Sequence, residues 1–204
     1  MGGPRFVHLR VHSEYSVSDG IVRIDDAVQR AAQDGMPALG LTDAANLFGM
    51  VKFYTAARAA GVKPVIGADC WIDNTADRDK PFRLLLLCAS RAGYLRLCEL
   101  LSRAWLKNQQ RGRPLIAREW LEAGSEGLIA LSGGPAGELA AALLSDHGEE
   151  AERIAKDWAA LFPGRYYIEL QRAGQANGEA LVSRSVALKA AQGERMLRRC
   201  GATS

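Results

Sequence analysis

The chain has 204 residues and a mass of 22.0 kDa, which is enough for one ordinary domain. Its residues are 48% hydrophobic, 24% charged and 7% aromatic, a globular composition that excludes a disordered or collagen-like chain. No apolar run approaches the roughly 18 residues of a membrane span, and no secretory signal follows the N-terminus. The sequence therefore predicts a soluble cytoplasmic protein without a membrane partner.

The charge is unevenly distributed along the chain. Lys and Arg number 26 against 23 Asp and Glu, which gives a net charge of +3. Five basic residues and one acidic residue lie from Ser183 onward, so residues 1–182 sum to −1. A near-neutral body disfavours a free nucleic-acid-binding module.

The cysteine spacing argues against a metal or disulfide framework. The four cysteines, Cys70, Cys88, Cys98 and Cys200, form no CxxC pair. We therefore predict reduced and mostly buried thiols.

Short apolar runs alternate with longer periodic stretches from the N-terminus to the C-terminus. The runs predict strands at 6–12, 38–42, 62–72, 82–88, 127–131 and 165–170. The periodic stretches predict helices at 24–33, 47–60, 92–107, 117–123, 138–144, 149–162 and 178–199, the last one interrupted at Gly193. The polar stretch 108–113 is predicted to be a linker. The alternation predicts an α/β fold with a mainly parallel sheet or barrel, whose functional loops follow the carboxyl ends of the strands.

The first predicted strand carries an unusual polar face. Its period-two alternation places His8, Arg10 and His12 on one face and apolar residues on the other. Acidic residues follow this strand and its neighbours at Asp19 and Asp43. The sequence therefore predicts a polar site where these strands end.

Several ordered segments resemble one family. FVHLRVHSEYSVSDG, MPALGLTDAANLFGM, EGLIALSGG and FPGRYYIELQRAG resemble the amino-terminal PHP (polymerase and histidinol phosphatase) domain of the bacterial replicative DNA polymerase III alpha subunit. The resemblance implies a distorted, incomplete (βα)7 barrel of the PHP type over residues 1–188, followed by a divergent basic helical tail at 189–204. The palm, thumb and fingers regions of that family are absent from these residues.

Six positions match the metal-site motifs of that family, and they are Arg10, His12, Asp19, Asp43, Asp69 and Arg83. Metal-binding members carry HxH on the first strand, whereas the first position of that pair here is Arg10. Ala44 and Arg83 stand at two further histidine positions, and the family's final Asp-x-His is absent. A guanidinium is permanently charged and repels a divalent ion. The resemblance therefore implies a degenerate site with no metal; any residual ion would use His12, Asp19 and Asp69.

A pairing hypothesis follows from these substitutions. We predict that Arg10 and Arg83 occupy the cation positions and pair with Asp19, Asp43 or Asp69, with Arg10 within hydrogen-bond reach of Asp19 or Asp69. Otherwise the three carboxylates would be buried without partners, at a cost of several kcal/mol each. Two simpler interpretations stay open: His12 as a hydrogen-bonded histidine at a strand end, and Asp43 with Asn46 as caps of the next helix.

The resemblance implies a role in DNA replication. PHP domains of this type dock the proofreading exonuclease (epsilon) subunit and brace the polymerase III core, with DNA contacted only through the full-length polymerase. Mg²⁺ would serve that polymerase, a DNA-directed nucleotidyltransferase, and no cofactor is expected in this domain. The alternative is a metal-dependent phosphoesterase or 3′–5′ exonuclease that uses a residual Asp/His site. Whether this chain is itself an enzyme is left open by its sequence.

Overall fold

Eight strands form one mixed sheet in this computed structural model, which describes residues 6–16, 19–145, 147–172, 178–192 and 196–200. The strands are Ala38–Leu41 (β1), Lys63–Ile72 (β2), Phe82–Cys88 (β3), Gln109–Gln110 (β4), Arg113–Ile116 (β5), Leu128–Leu131 (β6), Tyr166–Arg172 (β7) and Met196–Cys200 (β8). Their order is β4-β5-β2-β3-β6-β7-β8, and β1 pairs with the first half of β2.

The sheet is less parallel than the alternation of elements predicts. Strand β3 runs antiparallel to both of its neighbours, β2 and β6, whereas β1, β5 and β7 pair in parallel with theirs in the main sheet. The connection between β2 and β3 spans residues 73–81, which is too short for the crossover that a parallel pair needs. Strand β3 therefore returns directly beside β2 and divides the sheet.

The helices lie close to the predicted ranges. They are Ile24–Gln33 (α1), Met50–Ala59 (α2), Arg91–Lys107 (α3), Arg118–Glu122 (α4), Glu138–Leu144 (α5), Gly148–Leu161 (α6) and Gly178–Gln192 (α7). In α3, Leu97, Leu100 and Ala104 recur at helical spacing on the buried face. The Ser90 hydroxyl accepts a 3.2 Å hydrogen bond from the Gly93 amide and caps the first turn. None of the described helices is long and apolar enough to cross a membrane.

Two layers of apolar packing hold the sheet. The larger core joins β2, β3, β6 and β7 to α3, α5 and α6, and residues 84–87 of β3 are buried on both faces as predicted. A second core joins α1, α2 and β1 around Phe53, which is 1% exposed. Leu85, Leu87 and Leu131 form a further small apolar cluster on β3 and β6.

The N-terminal segment differs from its prediction. Residues 6–12 are extended but form no regular strand. The Gly40 amide donates to His8 O at 2.7 Å and the Thr42 amide to Val11 O at 2.9 Å. The two acceptors are three residues apart, whereas the two donors are only two residues apart. This difference in spacing interrupts the ladder of hydrogen bonds as a β-bulge does. The prediction of a regular strand at 6–12 is therefore wrong.

The C-terminal segment also differs from its prediction. Helix α7 ends at Gln192, and Met196–Cys200 forms β8 in parallel with β7, with Ile168 opposite Met196. The predicted helical tail is therefore wrong for 196–199, because the backbone there pairs with the outer edge of β7. The proposed boundary at 188 stays a prediction. Gly193 and residues 201–204 lie outside the described residues.

The predicted linker at 108–113 also proves to be structured. Strands β4 and β5 form an antiparallel hairpin at one edge of the sheet. Arg111 and Gly112 form its turn with φ values of 51° and 75°, both in the left-handed region. The polar composition of this stretch gave no indication of the hairpin.

Candidate functional site

The guanidinium of Arg10 lies between two buried carboxylates. Its Nη1 is 2.6 Å from Asp69 Oδ2, and its Nη2 is 2.8 Å from Glu169 Oε2. The side chains of Asp69 and Glu169 are 2% and 3% exposed. Asp69 lies within β2 and Glu169 within β7, so Arg10 ties the N-terminal segment to two strands of the sheet.

His12 lies between two further carboxylate contacts. Its Nδ1 is 3.1 Å from Asp19 Oδ2, and its Nε2 is 3.1 Å from Asp69 Oδ2. A neutral imidazole donates from one ring nitrogen only, and a carboxylate only accepts. Both contacts are therefore hydrogen bonds only when the ring carries two protons, which would add a second cation beside Asp69.

Arg83 completes the cluster from β3. It lies directly across from Trp71 of β2, and its guanidinium carbon lies 3.4 Å from the centre of that indole ring. The guanidinium is 3.6 Å from Asp69 Oδ2 and 3.7 Å from Asp19 Oδ2. The cross-strand pairing thus fixes Arg83 between an aromatic face and two carboxylates.

The charges in this cluster offset the cost of burial. Burial would raise the pKa of Asp69, but the hydrogen bond from His12 and the charges of Arg10 and Arg83 outweigh it and hold the pKa below its usual range. Burial would lower the pKa of Arg10, yet Asp69 and Glu169 keep it raised. Asp69 is therefore a carboxylate and Arg10 a cation across the physiological range.

Five of the six residues predicted for the site lie together, and they are Arg10, His12, Asp19, Asp69 and Arg83. The predicted contact of Arg10 with Asp69 is confirmed at 2.6 Å. The carboxylates of these pairs come from the N-terminal segment, β2 and β7. The arginines, His12 and these carboxylates together form a charged network where the N-terminal segment meets the sheet.

Asp43 lies apart from this network. It accepts hydrogen bonds from the Ser13 amide at 2.6 Å and from the hydroxyls of Ser13 and Ser16 at 2.9 Å each. Asp43 was one of three alternative partners predicted for Arg10 and Arg83. The described ion pairs of these arginines use the other two, Asp69 and Asp19, as well as Glu169. Asp43 does not cap α2 either, since Gly49 stands at that N-cap without a side-chain cap.

Glu169 is the member of the network that sequence reasoning missed. It is 4% exposed within β7, and its amide donates to Ser132 Oγ at 3.0 Å. The available signal was a carboxylate in the strand sequence YYIELQR, where neighbouring side chains are apolar or aromatic. A charge at such a position needs a buried partner, and Arg10 of the polar HLRVH face is that partner.

These residues do not fit a metal ion. In the described part of the chain, no three His, Cys, Asp or Glu side chains are placed to hold one. Arg10 stands between Asp69 and Glu169, and His12 lies between Asp19 and Asp69 instead of joining them around a common centre. Arg10 and Arg83 already supply two permanent positive charges beside Asp69, and both would repel a divalent ion.

A family model for the PHP domain matches residues 8–173. The chain belongs to the PHP domain family. The match covers the N-terminal segment, all of the main sheet up to β7 and every residue of the charged network. The charged network therefore lies within the part of the chain that the PHP family model matches.

Relatives of this PHP domain are found among DNA polymerase III alpha subunits. The subunit from Pseudomonas fluorescens is 45% identical over 184 residues, which is 90% of this chain and 16% of that protein. The subunit from Escherichia coli strain K12 is 41% identical over 193 residues, or 95% of this chain and 17% of that protein. The chain thus spans about one sixth of the length of these relatives, and the similarity lies in their N-terminal region.

Two solved structures share the fold. An amidohydrolase from Chromobacterium violaceum, with bound sulfate and no metal, aligns with a TM-score of 0.61 at 14% identity and covers 96% of this chain and 86% of its own. A protein from Bifidobacterium adolescentis, described as a metal-dependent phosphoesterase, aligns with a TM-score of 0.54 at 14% identity over the same shares. They confirm the distorted PHP fold that the sequence predicts.

Proposed function

We propose that this chain is the PHP portion of a DNA polymerase III alpha subunit. In this proposal it serves DNA replication as a structural and docking module, and its partners are the proofreading exonuclease (epsilon) subunit and the rest of the polymerase III core. Identity of 41–45% over about nine tenths of the chain supports the assignment. Any Mg²⁺ would serve the polymerase regions of such a subunit.

One observation supports the proposal that this site has lost its metal chemistry. Arg10 forms charge-assisted hydrogen bonds of 2.6 Å and 2.8 Å with Asp69 and Glu169, so a fixed cation holds the carboxylates that an ion would need. With Arg83 it gives the site two permanent positive charges. The phosphoesterase or exonuclease alternative has no observation of this kind in its favour.

Exposed apolar side chains support a role in protein contacts. A groove of about 460 Å³ lies between the loop before α2 and the end of α3. Phe48 and Leu106 stand at this groove with 73% and 81% of their surface exposed, and Trp105 lines it. Apolar groups of this size at a groove are typical of protein-binding surfaces.

The test has two independent measurements on the purified chain. Elemental analysis without chelator and phosphoester hydrolysis in the presence of Mn²⁺ or Zn²⁺ should both give background values. Calorimetric titration with the proofreading exonuclease subunit of the same organism should give a saturable complex.

Each measurement can contradict a different part of the proposal. Two tightly held metal ions with hydrolysis that His12→Ala abolishes would establish the enzymatic alternative. Absence of any complex with the exonuclease subunit would refute the docking role. A variant with Arg153→Gln, on the exposed face of α6, is the control for non-specific loss of activity.

A further inference from the structure

The small net charge of the chain conceals a strong local asymmetry. Residues 73–118 contain ten Lys and Arg against four Asp and Glu, a net charge of +6. Residues 1–72 are neutral overall, and residues 119–204 sum to −3. A surface built mainly from the middle segment is therefore positive even though the average over the chain is close to neutral.

The fold gathers much of this positive charge at one edge of the sheet. The β4–β5 hairpin and the connection 73–81 lie there side by side, next to the end of α3. The cations of these three parts form what we call the basic edge: Arg78, Lys80, Lys107, Arg111 and Arg113. All of them are at the protein surface; the side chains of Lys80 and Arg111 are 82% and 70% exposed. In the strand order, β4 and β5 lie at the end opposite to β7 and β8.

Hydrogen bonds hold the two loops of the basic edge together. The Asp79 carboxylate accepts from Arg111 at 2.6 Å and from Gln110 at 2.8 Å, and its carbonyl accepts from Arg113 at 3.4 Å. The side-chain amide of Asn108 donates to Asp73 at 3.1 Å. The cations are thus positioned before any ligand arrives, which lowers the entropy lost on binding.

The aspartates of this region do not neutralise the edge. Asp73, Asp77 and Asp79 each pair with one cation, respectively Arg78, Lys80 and Arg111. Among the ion pairs of the described residues, Lys107 and Arg113 have no carboxylate, which leaves the basic edge with a net charge of +2.

We infer that the basic edge binds the phosphate backbone of duplex DNA. Guanidinium and ammonium groups bind phosphate oxygens, and arginine does so with two parallel hydrogen bonds. The guanidiniums of Arg83 and Arg113 lie 3.4 Å and 5.4 Å from the centre of the Trp71 ring and compete with an unpaired base for it, which disfavours a single strand as the ligand. Residues 73–80 and 107–113 contain no exposed large apolar side chain, the usual anchor of a protein interface.

Fluorescence anisotropy with a labelled 20-base-pair duplex, from 50 to 200 mM salt, tests this inference without reference to the polymerase. Binding should weaken with salt with a log–log slope of about −2 to −3, because two or three phosphates are neutralised. The double variant Lys107→Gln with Arg111→Asn should bind about tenfold more weakly at the lowest salt and lose most of that slope. Asn tolerates the left-handed conformation at position 111, so the hairpin is expected to persist.

A matched variant removes the same charge from the opposite end of the molecule. Arg153→Gln with Lys156→Gln alters the exposed face of α6, where both cations pair with nearby carboxylates, and should leave duplex affinity unchanged. Equal weakening by the two double variants would overturn the inference, since total charge would then matter and not the basic edge. Tighter binding of a single strand than of the duplex would overturn it as well. Circular dichroism of each variant confirms that it is folded.

Discussion

The network around Arg10 shows how one guanidinium can hold two buried carboxylates from different strands. Arg10 is held at one end of its guanidinium by Asp69 and at the other by Glu169, and both carboxylates are buried. A buried ion pair gains little over an apolar replacement of both partners, but removal of one partner strands the other. Arg10 is therefore necessary because of the carboxylates that surround it.

Replacement of Arg10 should reveal this dependence. Arg10→Ala removes the guanidinium that Glu169 and Asp69 share and leaves Asp69 with Arg83 at 3.6 Å, and we expect the free energy of unfolding to fall by about 3–5 kcal/mol. Arg30→Ala is the matched control, because Arg30 pairs with Asp34 in an exposed i,i+4 contact whose loss should cost less than about 1 kcal/mol. Urea denaturation followed by circular dichroism measures both. Equal stability of Arg10→Ala and the parent would show that the network contributes nothing.

The sequence predicted this network in part, and the reasons differ from residue to residue. The alternation of residues 6–12 placed Arg10 and His12 on one face, and the family motifs placed Asp19, Asp69 and Arg83 beside them. Glu169 was missed because it is 159 positions away from Arg10, and no local pattern reports a pairing at that distance. Asp43 was misplaced because its hydroxyl partners, Ser13 and Ser16, look like ordinary turn residues in the sequence.

At the scale of elements, most helices and strands with a periodic signal lie within three residues of their predicted bounds, whereas strands without such a signal were missed. Helix α3 carries its own signal in the spacing of its leucines and in the Ser90 cap, so its range departs from the prediction by one residue. The β4–β5 hairpin and β8 carry short polar or basic sequences, and their strand conformation comes from backbone pairing with neighbours. Such pairing is non-local, and sequence periodicity does not encode it.

The first turn of α3 packs so closely on the start of β6 that one glycine is indispensable. A Cβ at Gly93 would lie 1.8 Å from the Gly127 carbonyl oxygen. Gly93→Ala should therefore lower the free energy of unfolding by at least about 2 kcal/mol, because the backbone of the turn must move.

Gly148, at the start of α6, is the matched control for that substitution. A Cβ there meets no atom within 4 Å. Gly148→Ala should stabilise the chain slightly, by about 0.5 kcal/mol, since alanine loses less backbone entropy in a helix. Thermal denaturation of the two variants distinguishes local crowding from helix propensity. An unchanged melting temperature for Gly93→Ala would mean that the backbone at Gly127 moves aside without a cost in stability.

Across the whole molecule, the charged network joins segments that are far apart in sequence. Arg10 lies 59 positions from Asp69 and 159 from Glu169, so one side chain ties the N-terminal segment to β2 and to β7. The irregular backbone contacts of residues 6–12 with β1 make this tie more important to the fold. Stability of the whole domain is therefore linked to the ionisation of Asp69, whose pKa the network lowers.

This link predicts a specific response to acid. The pKa of Asp69 is lowered in the folded chain, so its ionisation stabilises the fold fully above the unfolded value of about 3.9. That stabilisation is lost as the pH falls below about 4 and through the lower pKa of the folded state.

Arg10→Ala removes one cause of the lowered pKa of Asp69, so the variant should lose less stability in acid than the parent. The gap in free energy of unfolding between the two proteins should then be largest near pH 7 and narrow steadily from pH 5 to pH 3. Urea midpoints at pH 7, 5, 4 and 3 measure this gap. Arg30→Ala should differ from the parent by a small amount that changes little over the same range. A gap for Arg10→Ala that stayed constant or widened in acid would show that Arg10 stabilises the fold by packing and not through the charge of Asp69.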